Sequence, residues 1–127
     1  MSGDPRKLAA LGQVAEAAWA MEQAKLAKLN ADEDELRRKL AALDQGRAAR
    51  ARDVASGPDA ARLAGVDPLW ETWIDGRKST LISEMARVRA LKEEARQKFG
   101  RAYGRKETVA RLQARLDAER RRSRDQV

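Results

Sequence analysis

The second half of the chain places an apolar residue at seven positions spaced seven apart: Ile74, Leu81, Val88, Ala95, Ala102, Val109 and Leu116. A heptad repeat kept over that length specifies one continuous α-helix with a left-handed supercoil, and its seam needs a partner helix to cover it. The first half supplies the partner. Leu8, Ala15, Glu22, Leu29, Leu36, Leu43 and Arg50 recur at the same period, and five of them are apolar. In an antiparallel hairpin, facing residues have numbers that add to a constant. Leu43 with Leu81, Leu36 with Val88, Leu29 with Ala95, Ala15 with Val109 and Leu8 with Leu116 all add to 124. The same constant closes the chain through its only stretch rich in turn residues, Ser56 to Pro68. The pattern predicts an all-α protein: a single antiparallel coiled-coil hairpin over 1–127, made of two long helices with both termini at one end.

The other half of the seam is poorer. The same register opposes Trp19 with Arg105, Leu26 with Lys98, Glu33 with Leu91, Leu40 with Glu84 and Arg47 with Arg77. Long charged side chains can lay their stems over an apolar seam and keep their heads in water. A hairpin closed in this way is marginally stable, so a monomer or weak oligomer that completes its burial on a partner is expected.

Helix ends follow from local chemistry. Asp4 before Pro5 reads as an N-cap followed by a proline at the first helical position, where a missing N–H costs nothing. Helix one is predicted over about 5–55, with Gly12 and Gly46 as its weak points, each costing about 1 kcal/mol against alanine. Ser56, Gly57 and Pro58 end it. A tip over 56–67 follows, with room for one helical turn at 59–64, and Gly65, Val66, Asp67 and Pro68 start helix two, predicted over about 68–124.

Composition narrows the function classes. Of 127 residues, 43% are hydrophobic and 37% charged, the range of long charged helices, and five aromatics leave no material for a thick core. The chain has neither cysteine nor histidine. That removes thiol nucleophiles, thiolate or imidazole metal sites and the commonest general base. No enzyme activity, cofactor or metal is expected. No run of about 18 apolar residues exists, and the first residues lack a signal-peptide pattern, so a cytoplasmic protein without membrane insertion is expected.

Charge is uneven along the chain. Residues 1–67 hold 11 Lys and Arg against 11 Asp and Glu, and residues 68–95 hold 5 against 5, whereas residues 96–127 hold 11 against 4. The whole net charge of +7 therefore lies in the last 32 residues. Arg120, Arg121, Arg122 and Arg124 follow Glu119, the last residue with a helix-one partner in the predicted register. With Arg111 and Arg115 they form a candidate partner-binding end. An unsupported run of like charges is expected to fray and to order on a partner. Nucleic acid is one such partner, but no base-stacking or groove-reading motif accompanies the arginines, and an acidic protein pocket is favoured.

Four aromatics complete the candidate surfaces. Trp70 and Trp73 lie on one side of helix two at its start. They read as a plug at the hairpin tip, with Val54 opposite Trp70, or as docking knobs. Phe99 and Tyr103 form an i, i+4 pair on a lateral face, each followed by a glycine, Gly100 and Gly104, where glycine permits close approach. The acidic run Asp32, Glu33, Asp34 and Glu35 lacks calcium-loop spacing. It reads as a solvated face paired with Arg37, Arg38 and Lys39.

A hairpin with co-located termini and a basic, protruding C-terminal helix resembles the FliJ family of flagellar type III export proteins and its injectisome relative YscO. Leu8, Leu11, Val14, Ala15, Glu16, Lys25, Leu26 and Leu29 in helix one carry the resemblance. So do Tyr103, Val109, Leu112, Leu116 and Glu119, ahead of the arginine run, in helix two. The chain is somewhat short for that family, its last residues are richer in arginine, and the tryptophan pair has no counterpart in the family pattern. The resemblance implies a non-enzymatic stalk, like that of rotary ATP synthases. Its terminal end would enter a hexameric export ATPase, and the stalk would connect that ring to the export gate protein and to export chaperones. A generic coiled-coil adaptor or scaffold, and a basic nucleic-acid-associated coiled coil, are the alternatives.

Overall fold

The computed structural model describes residues 4–56 and 67–126. They form two α-helices, α1 (Pro5–Ser56) and α2 (Asp67–Asp125), packed antiparallel as a hairpin. The expected tip, with Gly57, Pro58, the turn at 59–64, Gly65 and Val66, lies outside the described residues, as does the side chain of Val54. The start of α1 follows its sequence signal. Asp4 Oδ1 accepts the Arg6 backbone N–H at 2.9 Å, and Asp4 O accepts the Leu8 N–H at 3.0 Å. One carboxylate thus satisfies one of the four donors that a helix start leaves without intrahelical partners.

The two helices divide into a central unit, Leu29–Leu91, and a terminal unit made of Met1–Lys28 and Lys92–Val127. In the central unit Leu36, Leu81 and Met85 form a buried cluster against which Leu40, Leu43 and Val88 pack, and Ile74 is 2% exposed. Burying a leucine of this kind contributes about 1.5–3 kcal/mol before ordering costs. Ion pairs flank the cluster across the helices. Lys78 Nζ lies 2.9 Å from Asp44, and Arg47 bridges Glu71 at 2.9 Å and Asp75.

The core of the terminal unit is thinner. Its buried apolar residues are Ala15, Ala95, Ala102 and Val109. Small residues let the helices approach but remove little apolar area from water. Gly12 is part of that approach, since a Cβ built there would stand 2.8 Å from Gln113 Nε2, which donates to Leu8 O at 3.4 Å. Trp19 and Phe99 supply the larger contact, with ring centroids 6.2 Å apart at 37°.

Both heptad series that define the hairpin line the interface: every member from Leu8 to Arg50 and from Ile74 to Leu116 is buried or half-buried. The remaining half of the α2 seam differs from expectation by one residue. Arg77, Glu84, Leu91, Lys98 and Arg105 are exposed, and Lys78, Met85, Lys92, Phe99 and Lys106 take the interface. The physical reason is the material on offer. The expected series holds one apolar residue, Leu91, whereas the observed one buries Met85 and half-buries Phe99, with the stems of Lys78, Lys92 and Lys106 filling the alternate positions. Side-chain contacts between the helices scatter on both sides of the expected constant: Lys78 with Asp44, Arg47 with Asp75 and Arg89 with Glu33 have numbers that add to 122, Trp19 with Phe99 and Arg47 with Glu71 to 118, and Gly12 with Gln113 and Trp19 with Lys106 to 125. The expected neighbours Leu36, Leu43, Leu81 and Val88 meet in one cluster.

Candidate partner-binding surfaces

The heptads run out on α2 before the helix does. Ala118 is the last half-buried residue, and residues 119–126 are all exposed on backbone that stays helical to Asp125. Arg120, Arg121, Arg122 and Arg124 are therefore presented on a helix rather than on the frayed tail that the sequence suggested. Arg122 and Arg124 occupy the last turn, where the helix dipole favours cations. Arg111 and Arg115 are exposed on the same helix. None of the six arginines makes an ion pair among the described residues.

Beside this end lies an apolar groove of about 430 Å³, formed by Leu8 and Leu11 of α1 with Leu112 and Leu116 of α2. Asp4, Lys7, Arg115 and Glu119 rim it, so residues near the chain's two ends converge on one feature of the terminal unit. The groove did not stand out in the sequence. Leu11 and Leu112 fall outside the seam heptads, and only the helix pairing brings them together.

The aromatics separate into two kinds. Trp70 is half-buried, with the Arg50 guanidinium 4.6 Å from its ring centroid, while Trp73 is 60% exposed. Phe99 belongs to the interface through Trp19, whereas Tyr103 is 47% exposed on a neighbouring turn. Lys106 Nζ stands 4.4 Å from the Trp19 ring centroid and 5.6 Å from that of Tyr103, so one ammonium links the half-buried and the exposed ring. Nothing packs within 4 Å of a Cβ built at Gly100 or Gly104, so in the hairpin these glycines serve no close approach.

The acidic run is solvated only in part: Asp32 is half-buried, and Glu33 takes the seam position that the heptad pairing gave it. Asp34 and Glu35 are exposed and pair along the helix with Arg37 at 3.7 Å and with Lys39 at 3.6 Å. Glu33 is instead 3% exposed in the seam. Its Oε1 accepts from the Arg37 guanidinium and lies 3.6 Å from Arg89 Nε of α2. A buried carboxylate needs such partners, because desolvation without them costs several kcal/mol.

No helix among the described residues is long and apolar enough to cross a membrane, and these residues hold no group of three or more His, Cys, Asp or Glu placed to bind a metal ion. Comparison with protein-family models, with curated proteins and with solved structures finds no match for this chain.

Proposed function

We propose that the chain is a non-enzymatic coiled-coil stalk of a type III export apparatus. It binds the hexameric export ATPase through its arginine end and connects that ring to the export gate protein and export chaperones, in the cytoplasm. One observation carries the reading: Arg120, Arg121, Arg122 and Arg124 stand on helical backbone beyond the hairpin seam, exposed and without an ion pair among the described residues. A cationic helix end suits a ring pore lined by carboxylates. Complementary charge steers its entry, and exposed arginines form contacts that can be exchanged as a ring turns. The FliJ-like order of features along the chain adds the export setting to this chemistry.

The test uses the full-length chain with the hexameric export ATPase encoded in the same genome, followed by co-sedimentation and by ATP hydrolysis. Binding that weakens between about 50 and 300 mM salt, as exposed charge pairs are screened, and a raised hydrolysis rate are expected. Absence of binding at the lowest salt would overturn the proposal. So would preferential binding of duplex or single-stranded nucleic acid, which would assign the arginines to phosphate contacts.

A further inference from the structure

The side of the terminal unit that holds the Leu8–Leu112 groove carries an apolar stripe that the hairpin seam does not use. Leu11, Val14, Ala18 and Met21 follow one another at steps of three, four and three, the spacing by which a helix presents a coiled-coil seam. The hairpin itself uses Leu8, Ala15, Trp19 and Glu22. That leaves Leu11 52%, Val14 65% and Met21 53% exposed. Exposed apolar residues scattered singly are ordinary. Three at seam spacing, joined by half-buried Ala18 over about three turns of one helix, make a contiguous patch.

Across the groove, α2 presents cations. One heptad before Leu112 stands Arg105, and two heptads before Arg115 stands Arg101, so both lie on the side of α2 that lines the groove, further along the helix. Arg101, Arg105 and Arg115 are exposed and make no ion pair among the described residues. Lys98, at the same heptad phase, is held by Glu94 at 3.1 Å. The carboxylates on the rim, Asp4 and Glu119, stand at the groove's end near the chain termini.

We propose that this face docks one amphipathic helix with acidic flanks from a partner protein, turning the terminal unit into a three-helix coiled coil. Apolar residues of the incoming helix cover Leu11, Val14, Ala18 and Met21, and its carboxylates meet Arg101, Arg105 and Arg115. Charge decides against a second copy of the chain as occupant. An identical face would set arginines against arginines, and like charges brought together at an interface cost several kcal/mol. The face is distinct from the Arg120–Arg124 end and stands whether or not that end enters an ATPase.

The test is fluorescence anisotropy of the full-length chain with a labelled three-heptad peptide carrying Leu at its seam positions and Glu on both flanks. A counterpart with Lys on the flanks serves as control. The acidic peptide should bind at least about tenfold more tightly than its lysine counterpart. The double variants Val14→Asp with Met21→Asp, and Arg101→Glu with Arg105→Glu, should each weaken binding by about tenfold or more while leaving the melting temperature nearly unchanged. Reversal of Arg120, Arg121, Arg122 and Arg124 should leave peptide binding largely intact. Equal binding of both peptides, or indifference to the face variants, would overturn the proposal. So would a wild-type dimer that Val14→Asp with Met21→Asp makes monomeric in sedimentation equilibrium. Binding of phosphatidylserine vesicles, lost in the face variants, in place of the acidic peptide would overturn it too.

Discussion

Glu33 shows at single-residue scale how the hairpin chooses its pairing. A carboxylate 3% exposed among leucines adds little net stability even when Arg37 and Arg89 hold it, because desolvation offsets most of the attraction. Arg89 reaches Glu33 from the other helix, so the contact rewards one register, as polar residues in coiled-coil seams do. Glu33→Leu should therefore melt at or slightly above the wild-type temperature. Arg89→Ala should melt below it by less than a buried-pair deletion would predict, because Arg37 still covers the charge and the Arg89 side chain is largely exposed. Thermal melts of the two variants check this ordering, and a large loss in Glu33→Leu would contradict it. The open glycines give a second residue-scale prediction. Gly46, Gly76, Gly100 and Gly104 have nothing within 4 Å of a built Cβ, so alanine at each should add about 1 kcal/mol, or about 4 °C in melting temperature. Gly12→Ala should gain less, because its methyl group must displace the Gln113 amide 2.8 Å away.

Between helices, much of the fold was legible because the seam's stronger half is written in apolar residues at a fixed period. Ile74, Leu81, Val88, Ala95, Ala102 and Val109 are apolar without a break, and all are buried except half-buried Val88. The weaker half was illegible for the same reason. Lys78, Met85, Lys92, Phe99 and Lys106 mix charged and apolar residues, and a step of four rather than three from Leu81 is decided by which residue fills the space against α1. The candidate surfaces divide in the same manner: the arginine run is visible as composition, but the groove exists only once Leu8 and Leu11 meet Leu112 and Leu116. Substitutions separate the two readings of the seam. Leu81→Ala, at 1% exposure, should cost about 2–5 kcal/mol, and Leu36→Asp should unfold the central unit by burying an unpaired carboxylate. Met85→Asp should be severe and Glu84→Ala nearly neutral in chemical denaturation. The reverse order would restore the register in which Glu84 faces α1.

For the whole molecule, the charge distribution and the hairpin meet at one place. The terminal unit contains all 32 residues that carry the net charge of +7, and its α2 segment continues past the seam as an exposed arginine helix. Such an end contributes little to folding, since exposed charges far from a partner are worth at most a few tenths of a kcal/mol each. It is available for binding. The most direct measurement of the proposed stalk role is therefore co-sedimentation of a hexameric export ATPase with the chain carrying Arg120→Glu, Arg121→Glu, Arg122→Glu and Arg124→Glu, beside circular dichroism and a melt of the same variant. The account predicts wild-type helicity and a nearly unchanged melting temperature, with ATPase affinity lowered by about tenfold or more. Wild-type affinity in the folded variant would contradict it.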